Sequence, residues 1–379
     1  MEIKIDKTEQ GALLSSLDLR KDTEVTRMKR YLAMPDLSRT EGSPIHEMVK
    51  RITSLPSFSS FDTIEVPEVI STDVGFDLFD FPMDHPARSS SDTYYVDGAH
   101  ILRTQMTVMW YYYLHNEDIK KKMEAGEPVG AFAFGKVYRK DEIDRRHMNV
   151  FHQIDGWYLV PKDKGTITRE DLEKVLSDTA KAIFGPDITY RFNPDTFPYT
   201  DPSLEMEVEI NGVWVEVNGA GVVKGSVLDK LGVDSSKWTG WAFGLGLERL
   251  AIISMDLPDI RLLWSDDERV KKQLVLGQKF KEVSKFPAII RDISFVVEKS
   301  SFSPNNYFDL VRDVIGDMAE EMALIDEYEN EAKFGAGKKS YAYRITYRSL
   351  ERTLTDEEVN DLHKKLEEET KSTYDAVIR

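Results

Sequence analysis

Two arginines are the residues best placed to bind a phosphorylated ligand. One follows a glycine-containing segment, and the other stands at the end of a predicted strand. Residues 240–250 hold three glycines followed by Arg249. Glycines before a helix let a backbone approach a ligand closely, the helix N-terminus favours anions, and a guanidinium suits phosphate. A tightly packed helix start would give the same pattern. Arg139 ends an apolar run over residues 131–138 and precedes a charged loop. This placement predicts a bidentate phosphate clamp, with an exposed surface arginine as the alternative.

A carboxylate pair is predicted on a β-hairpin. Residues 205–217 alternate apolar and polar around Asn211-Gly212, which predicts a two-residue turn. Glu207 then lies opposite Glu216, and like charges directly opposite destabilise a sheet. The face is either a solvated acidic surface or, because Trp214 shares it, a partly covered site for Mg²⁺. The pairs predicted for the core face are Ile210–Val213, Val208–Val215 and Met206–Val217.

Composition limits the class of protein. The chain has 379 residues, of which 41% are hydrophobic, so it is globular with two to three domains. It has no cysteine, which excludes disulfides and cysteine-based metal sites or nucleophiles. The net charge of -17 argues against non-specific nucleic-acid binding, although a local basic strip could still bind RNA.

No membrane partner or targeting segment is predicted. No apolar run is long enough to span a bilayer, and residues 1–10 carry acidic residues without an apolar core. They resemble neither a secretory signal nor a transit peptide. We therefore expect either a bacterial-type cytoplasmic protein or an organellar matrix protein whose presequence has been removed.

The elements that must position these residues fall into four segments. Residues 1–60 are predicted as an N-terminal helical region, including a helix after Ser43-Pro44. The other segments are a strand-rich region over 61–270, a linker over 271–284 and a ferredoxin-like α+β unit over 285–379.

The last segment carries a candidate nucleic-acid strip. Aromatic and aliphatic residues alternate with basic ones after residue 340, so one strand face can pack while the other is basic. A merely solvated sheet edge is the alternative. The candidate cations are Lys338, Lys339, Arg344, Arg348 and Arg352. Residues 335–340 imitate a phosphate loop, but they lack its first glycine and lead into a strand, which predicts a hairpin loop.

The segments around both arginines resemble motifs 2 and 3 of class II aminoacyl-tRNA synthetases. The resemblance rests on residues 135–144 with 151–155, and on 240–250. The residues in these segments most resemble phenylalanyl-tRNA synthetase in its single-chain form. Further segments resemble the same family, at residues 84–88, 92–95, 102–104, 197–202 and 258–261. Residues 286–288, 291–294 and 349–354 are similar to that family's ferredoxin-fold anticodon-binding domain.

The resemblance implies an α+β fold, with an antiparallel catalytic sheet flanked by helices and a C-terminal ferredoxin-like sandwich. It implies ATP-dependent ligation of phenylalanine to tRNA(Phe) through an adenylate, with Mg²⁺ and without a second subunit type. Arg139, Glu216 and Arg249 would be catalytic. The implied ATP contacts are Arg139, Arg146, His147, Met148, Glu216, Phe243 and Arg249, and the implied metal ligands are Glu207 and Glu216. The strip from Lys338 to Arg352 would bind tRNA.

The implied amino-acid pocket departs from the family pattern at three positions. Gln105 stands where histidine is usual, Tyr199 where phenylalanine is usual, and Asp155 where glutamate is usual. Asp155 keeps the charge needed for an ammonium group. Tyr199 adds a hydroxyl that needs a partner if it is buried. The implied pocket residues are Gln105, Thr107, Gln153, Asp155, Phe197, Tyr199 and Ala242.

Two rival functions follow from these observations. Tyr199 and Gln105 leave open the same reaction with tyrosine or another aromatic amino acid. A non-catalytic tRNA-binding paralogue is the second rival. It is disfavoured because Arg139, Glu216 and Arg249 are all present, and a decayed copy should have lost at least one of them.

Overall fold

The computed structural model describes residues 1–282 and 286–379. Contacts within the chain divide it into two compact units. The first unit comprises residues 1–139, 150–257 and 274–279, and the second comprises 140–149, 258–273 and 280–379. The predicted boundary between the linker and the C-terminal domain lies outside the described residues. No helix in the described ranges is long and apolar enough to cross a bilayer.

An eight-stranded sheet forms the centre of the first unit, in the strand order β1-β2-β5-β6-β10-β9-β8-β7. All its neighbours are antiparallel except β1–β2 and β2–β5. The strands are β1 (Glu2–Lys4), β2 (Asp62–Glu65), β5 (Val129–Tyr138), β6 (Val150–Pro161), β7 (Tyr190–Phe197), β8 (Thr200–Ile210), β9 (Val213–Val223) and β10 (Trp238–Gly246); β3 (Val69–Ser71) and β4 (His100–Leu102) form a separate pair.

Nine α-helices surround this sheet, counted over the described part of the first unit. They are α1 (Thr8–Leu17), α2 (Thr23–Ala33), α3 (Pro44–Thr53), α4 (Thr72–Gly75), α5 (Met109–Leu114), α6 (Glu117–Glu124), α7 (Arg169–Phe184), α8 (Gly225–Lys230) and α9 (Leu247–Met255). Short 3₁₀ helices span Pro56–Phe58, Asp77–Phe79 and Pro86–Arg88.

The N-terminal segment confirms one prediction and adds an element. Helix α3 begins where the sequence indicates, because the Ser43 side chain accepts a hydrogen bond from the Ile45 N–H and Pro44 occupies the first turn. Its apolar face is buried, as the helical spacing predicts. Strand β1, by contrast, was not predicted. Ile3 of β1 pairs with Ile64 of β2, so the helical description of residues 1–60 leaves out an edge strand of the central sheet.

The β8–β9 hairpin corrects one predicted pairing. Asn211 and Gly212 have φ of 53° and 80°, which matches a type I′ turn. The predicted pairs next to the turn, and Glu207 opposite Glu216, are confirmed. The predicted Met206–Val217 pair is wrong, because a bulge follows and Met206 pairs with Asn218. A bulge inserts one unpaired residue and reverses the side-chain alternation beyond it.

The central sheet has one aromatic face and one polar face. Phe132, Gly156 and Phe243 are cross-strand neighbours, and a Cβ on Gly156 would lie 2.6 Å from the Phe243 ring. Asp155 and Gly244 belong to the opposite face, where a Cβ on Gly244 would lie 2.9 Å from the Asp155 carboxylate. Side chains of adjacent strand residues point to opposite faces, so the two sets are separated by the sheet.

The second unit has the predicted ferredoxin-like order of strand, helix, strand, strand and helix, followed by one more strand. Its sheet order is β12-β13-β11-β14. The last strand was not predicted. The α-helices and strands are α10 (Glu268–Lys271), β11 (Ile289–Glu298), α11 (Pro304–Ile315), β12 (Ala319–Tyr328), α12 (Glu331–Phe334), β13 (Lys338–Tyr347), α13 (Asp356–Tyr374) and β14 (Val377–Ile378), with 3₁₀ helices at Ile260–Trp264, Lys299–Ser301 and Gly316–Met318. Residues 335–337 form the loop before β13, as predicted.

Candidate active site

Two buried acceptor oxygens on the polar face of β6 have no hydrogen-bond donor among the described residues. They are Oε1 of Gln153 and Oδ1 of Asp155. The other oxygen of Asp155, Oδ2, accepts a hydrogen bond of 2.9 Å from Thr107 Oγ1. Buried acceptors left unpaired are costly, and a native protein retains them where a ligand supplies the donors. An ammonium group, with three N–H donors, fits this pair.

The charge state of Asp155 follows from its burial. Burial raises the pKa of the Asp155 carboxyl to about 7, although the Thr107 hydrogen bond and the positive charge of Arg139 act to lower it. A cationic ligand would bring the pKa down again. A carboxyl group whose pKa is strongly shifted by burial is typical of a functional site.

Aromatic rings form the wall beside these acceptors. The rings of Phe197 and Tyr199 are stacked with centroids 6.1 Å apart. The Phe197 ring crosses Gly219 so closely that a Cβ there would lie 2.4 Å from it. Trp110 meets Tyr199 edge to face at 5.9 Å. An apolar wall next to a carboxylate suits an aromatic amino acid.

Two more predicted pocket residues are buried in the same unit. Ala242 is 5% exposed and belongs to the apolar core cluster that contains Trp110. Gln105 is 7% exposed, and its Nε2 lies 3.5 Å from the Gly75 carbonyl, the outer limit of a hydrogen bond. Its side-chain amide is therefore weakly held by the protein.

Arg139 lies at the end of β5 beside a residue that the sequence interpretation missed. Its Nε donates to the Thr104 carbonyl at 2.8 Å, and its guanidinium stands 5.2 Å from the Phe151 ring centroid. Phe151 is half-buried and shares its sheet face with Gln153 and Asp155, two and four residues further along β6. A partly exposed ring beside an arginine that is predicted to bind phosphate is suited to stacking on a base. The alternation along residues 151–155 could have revealed it.

Phe243 requires a correction. The family resemblance implies that Phe243 contacts ATP, but its side chain is only 3% exposed. Its ring lies on the aromatic face, stacked on Trp241 at 5.7 Å and opposite Gly156. The one-residue offset between Phe243 and Gly244 places its side chain on the side of the sheet away from Asp155. Phe243 therefore packs the core in this structure.

The hairpin carboxylates are met by arginines from neighbouring elements. Glu216 is exposed, and its Oε2 lies 3.4 Å from Nη1 of Arg249 on α9. Glu207 accepts a hydrogen bond of 2.5 Å from Arg191 of β7, which lowers the pKa of Glu207. The Arg191 guanidinium also covers the Trp214 ring at 4.3 Å. The group that partly covers this face beside Trp214 is thus Arg191. Arginines of the protein itself relieve the repulsion between Glu207 and Glu216.

The remaining predicted nucleotide residues belong to the second unit. Arg146, His147 and Met148 lie on residues 140–149, which form part of that unit. His147 Nδ1 lies 2.8 Å from Asp144 Oδ2, and this hydrogen bond raises the pKa of His147. The roles of these three residues at the nucleotide stay predictions.

Comparison with known proteins decides the family. Residues 31–274 match the tRNA synthetases class II core domain (F), and residues 284–379 match the ferredoxin-fold anticodon binding domain. The chain is 39% identical over 333 residues to the chloroplastic/mitochondrial phenylalanine–tRNA ligase of Arabidopsis thaliana, covering 85% of this chain and 73% of the relative. The mitochondrial phenylalanine–tRNA ligase of Mus musculus is 38% identical over 350 residues, with 83% and 74% covered.

The chain belongs to the class II phenylalanine–tRNA ligases. The chain is also similar to the phenylalanine–tRNA ligase alpha subunit of Pelodictyon phaeoclathratiforme, at 30% identity over 301 residues, with 71% of this chain and 84% of the relative covered. The predicted family and fold class are confirmed.

A buried charge network braces the class II core behind the pocket. His152 is fully buried, with Nδ1 2.5 Å from Glu248 on α9 and Nε2 3.3 Å from Asp36. Burial alone would lower the pKa of His152, but the two carboxylates raise it to about 9. The Leu37 N–H also lies 2.9 Å from Nε2. The network ties the helix of motif 3 to the strand that carries Gln153 and Asp155.

The five predicted tRNA-binding cations of the anticodon-binding domain are each paired with a carboxylate. Arg344 makes two bonds of 2.8 Å to Asp292, and Arg352 makes bonds of 2.8 and 2.6 Å to Glu358. The other three pairs are Lys338–Glu298 at 3.7 Å, Lys339–Glu327 at 2.9 Å and Arg348–Glu320 at 2.8 Å. Lys339 also lies on the Tyr341 side of β13, so the five cations do not share one face. Their role in tRNA binding stays a prediction.

Proposed function

We propose that this chain ligates phenylalanine to tRNA(Phe) in two steps, with ATP as the activating substrate. Membership of the phenylalanine–tRNA ligases supports the reaction class. The observation that carries the substrate is the pair of unpaired buried acceptors, Gln153 Oε1 and Asp155 Oδ1, next to the Phe197–Tyr199 wall. This arrangement offers an ammonium site and an aromatic site within one pocket.

In the first step, a carboxylate oxygen of phenylalanine forms a bond to the α-phosphorus of ATP while the bond to pyrophosphate breaks. No general base is needed, because the nucleophile is already an anion. Arg139 would hold the α-phosphate and Arg249 the γ-phosphate, and both stabilise developing negative charge. Phe151 would stack on adenine in place of Phe243. Asp155 and Gln153 would orient the amino group.

Mg²⁺ would neutralise the phosphates of ATP during this step. Glu216 fits such an ion, since its carboxylate is exposed and hard cations prefer oxygen ligands. Glu207 fits less well, because Arg191 and Asn193 occupy the same oxygen, Oε2, at 2.5 and 2.7 Å. We therefore propose Glu216 as the principal protein ligand.

In the second step, a hydroxyl of the terminal ribose attacks the activated carbonyl and AMP leaves. The ferredoxin-fold domain would bind tRNA, and the presence of both domains in one chain supports action without a second subunit type. The names of the mitochondrial and chloroplastic relatives favour the organellar compartment over the cytoplasmic one, and we propose an organelle matrix.

Amino-acid-dependent exchange of pyrophosphate into ATP tests the proposal without tRNA. The purified chain should support exchange with phenylalanine and much less with tyrosine. Exchange only with tyrosine would move the substrate, and no exchange with any amino acid would refute the ligase.

Arg139→Ala tests the catalytic assignment. It should abolish exchange, by about 10³-fold or more, because the α-phosphate loses its charged clamp. Arg169→Ala is the matched control, since Arg169 lies at the start of α7 in an exposed pair with Glu173. Equal activity of both variants would refute the role of Arg139.

A further inference from the structure

Two buried residues join the strand that carries the amino-acid site to the helix that carries Arg249. Gly246 is the last residue of β10 that pairs with β6, and its partner there is Gln153. Helix α9 begins at the next residue, Leu247. Strand β10 therefore ends before it can offer a partner to His152, the preceding residue of β6.

The Glu248 carboxylate, in the first turn of α9, takes the place of that missing strand partner. Its Oε2 accepts a hydrogen bond of 2.7 Å from the His152 backbone N–H, and its Oε1 lies 2.5 Å from Nδ1 of the same residue. A carboxylate only accepts hydrogen bonds, so Nδ1 is the donor. Both residues are buried, and each buried donor needs a partner from the protein.

A third segment holds the far side of the imidazole. Nε2 of His152 lies 2.9 Å from the Leu37 backbone nitrogen and 3.3 Å from Asp36 Oδ1. Both ring nitrogens consequently have partners, and the ring cannot turn without losing contacts on both sides. The imidazole is thus a fixed point against which Glu248 holds the start of α9.

Arg249, the next residue of α9, depends on its backbone for its position. Its side chain is exposed, and Nη1 lies 3.4 Å from both Oε2 and the carbonyl oxygen of Glu216, close to the outer limit of a hydrogen bond. Gln153 and Asp155, by contrast, are also held by the pairing of β6 with β5. Loss of the contact between β6 and α9 would therefore move Arg249 and leave the amino-acid site in place.

We propose that His152 and Glu248 are positioning residues that fix Arg249 relative to the amino-acid site, so that the γ-phosphate is held while the phenylalanine carboxylate is in line with the α-phosphorus. The inference rests on the proposed function. The side chain of His152 lies on the opposite face of β6 from Gln153, so the pair acts through its neighbours in the chain.

Glu248→Gln in the full-length chain tests the pair. An amide has one acceptor oxygen where the carboxylate has two, so it cannot accept from both the backbone N–H and Nδ1 of His152. In phenylalanine-dependent pyrophosphate exchange, kcat should fall about 10- to 100-fold, because a small misplacement of a positioning group has this effect. The calorimetric Kd for phenylalanine should be unchanged.

Asp62→Asn is the matched control for this variant. Asp62 is an equally buried carboxylate of the same unit, and it bonds Tyr113 and the N-terminal amino group. Its replacement removes the same charge and the same kind of hydrogen bond without touching α9. This variant should leave kcat unchanged.

Substitution of His152 decides which of its ring nitrogens matters. His152→Asn places an amide N–H where Nδ1 stands, so it can still donate to Glu248, whereas His152→Gln places its amide at Nε2, on the side of Asp36. His152→Asn should therefore retain most of kcat, and His152→Gln should lose as much as Glu248→Gln. Both variants delete the same ring, so lost packing does not explain a difference between them. The reverse order would overturn the proposal.

A double-mutant cycle tests whether the pair acts through Arg249. Glu248→Gln should add little to the loss of kcat caused by Arg249→Ala, because both remove the same phosphate contact. Additive losses would show that the pair supports the fold in general and would overturn the positioning role. A Kd for phenylalanine that rises in proportion to the loss of kcat would do the same.

Calorimetric binding of nucleotides distinguishes failure of this inference from failure of the proposed function, since it requires no reaction. Glu248→Gln should weaken the binding of α,β-methylene-ATP, which has a γ-phosphate, as much as Arg249→Ala does, and leave the binding of AMP unchanged. If this pattern appears in a chain that supports no exchange, the ligase reaction fails and the positioning of Arg249 stands. If the parent chain supports exchange and Glu248→Gln changes neither kcat nor nucleotide binding, the ligase stands and the positioning role fails.

Discussion

At the residue scale, the pocket contains the Asp155 carboxyl group, whose ionised form is disfavoured by burial in the ligand-free protein. Asp155 is 5% exposed, and one of its oxygens has no donor in the part of the chain that the structure describes. Buried, unpaired acceptors lower the free energy of unfolding. Asp155 therefore makes the ligand-free protein less stable, and its presence needs a functional reason. This pattern is expected of a group that becomes paired only when an ammonium arrives.

Asp155→Asn should therefore stabilise the ligand-free protein and abolish phenylalanine binding. The folded-state pKa of about 7 lies above the ordinary value of 3.8, so the native state holds the proton more tightly. The parent loses stability as pH rises from about 4 to 7 and stays lower above 7, whereas the variant does not. The difference should reach about 2–4 kcal/mol at pH 8.

Thermal or urea unfolding of the ligand-free protein at a series of pH values measures this difference. Asp163→Asn, in an exposed turn, is the control and should follow the profile of the parent, because it retains Asp155. A variant that is less stable than its parent at pH 8 would contradict the account.

Gly219→Ala should damage recognition of the aromatic ring. The added Cβ would lie 2.4 Å from Phe197 Cζ, so the ring must move. A displacement of about 1 Å at a reacting complex can lower kcat/KM about 10²-fold. We expect such a loss for phenylalanine in pyrophosphate exchange. Gly11→Ala, with nothing within 4 Å of the new Cβ, is the control. Unchanged kcat/KM would show that Phe197 does not contact the substrate.

At the element scale, the bulge in β9 places Glu216 on the same face of the sheet as Gly219. Glu205 pairs with Gly219 and Glu207 pairs with Glu216, so three residues on β8 face four on β9. Glu216 and Gly219 consequently share a face although they are three positions apart along the strand. A regular hairpin would place Gly219 on the other face from Glu216.

Helix α13 offers a prediction about stability at this scale. The Thr355 side chain accepts from the Glu358 N–H while Glu358 accepts from the Thr355 N–H, a capping box. Thr355→Ala should lower the free energy of unfolding of the second unit by about 1 kcal/mol. Hydrogen exchange of the α13 and β11 amides reports this unit. Thr353→Ala, exposed outside the helix, should be neutral, and a matching effect there would remove the cap from the explanation.

At the scale of the whole molecule, the chain must bind a polyanion although its net charge is -17. The five candidate cations of the anticodon-binding domain are already paired with carboxylates. A phosphate that binds Arg344 must therefore displace Asp292. Exposed pairs of this kind are weak, so the exchange is feasible, and it lowers non-specific affinity.

Asp292→Asn should increase tRNA affinity several-fold at low salt and steepen its salt dependence, because Arg344 becomes available to phosphate. Arg344→Ala should weaken binding and reduce the slope of affinity against salt by about one unit. Filter binding at several salt concentrations measures both. Glu358→Gln, which releases Arg352 beyond the end of β13, is the parallel case. If neither Arg344→Ala nor Asp292→Asn alters binding, this surface does not contact tRNA.

Substitutions test this domain more cleanly than its deletion. Ile143 and Asn149 lie between β5 and β6 in sequence, yet Ile143 packs in the core cluster of the second unit and Asn149 donates to Asp309 at 2.8 Å. Removing the C-terminal residues would expose these side chains. Charging and adenylation would then both be affected for a reason unrelated to anticodon binding.

The reaction class and several local elements could be predicted from the sequence alone. Alternation and turn chemistry are local, and they located α3, the Asn211-Gly212 hairpin and the ferredoxin-like order. The order of the two motif-like segments along the chain assigned Arg139 and Arg249 to the same predicted site. These features depend on neighbours within a few residues, so a pattern can reveal them.

Which side chains share a face, and which charges are already paired, became visible in the folded chain. The bulge beside Met206 shifts the register, and the pairing with Gly156 assigns Phe243 to the aromatic face and leaves Phe151 beside Arg139. Asp292 neutralises Arg344 from another strand. Such outcomes depend on contacts between residues distant in sequence, because a one-residue slip in a strand reverses every side chain beyond it.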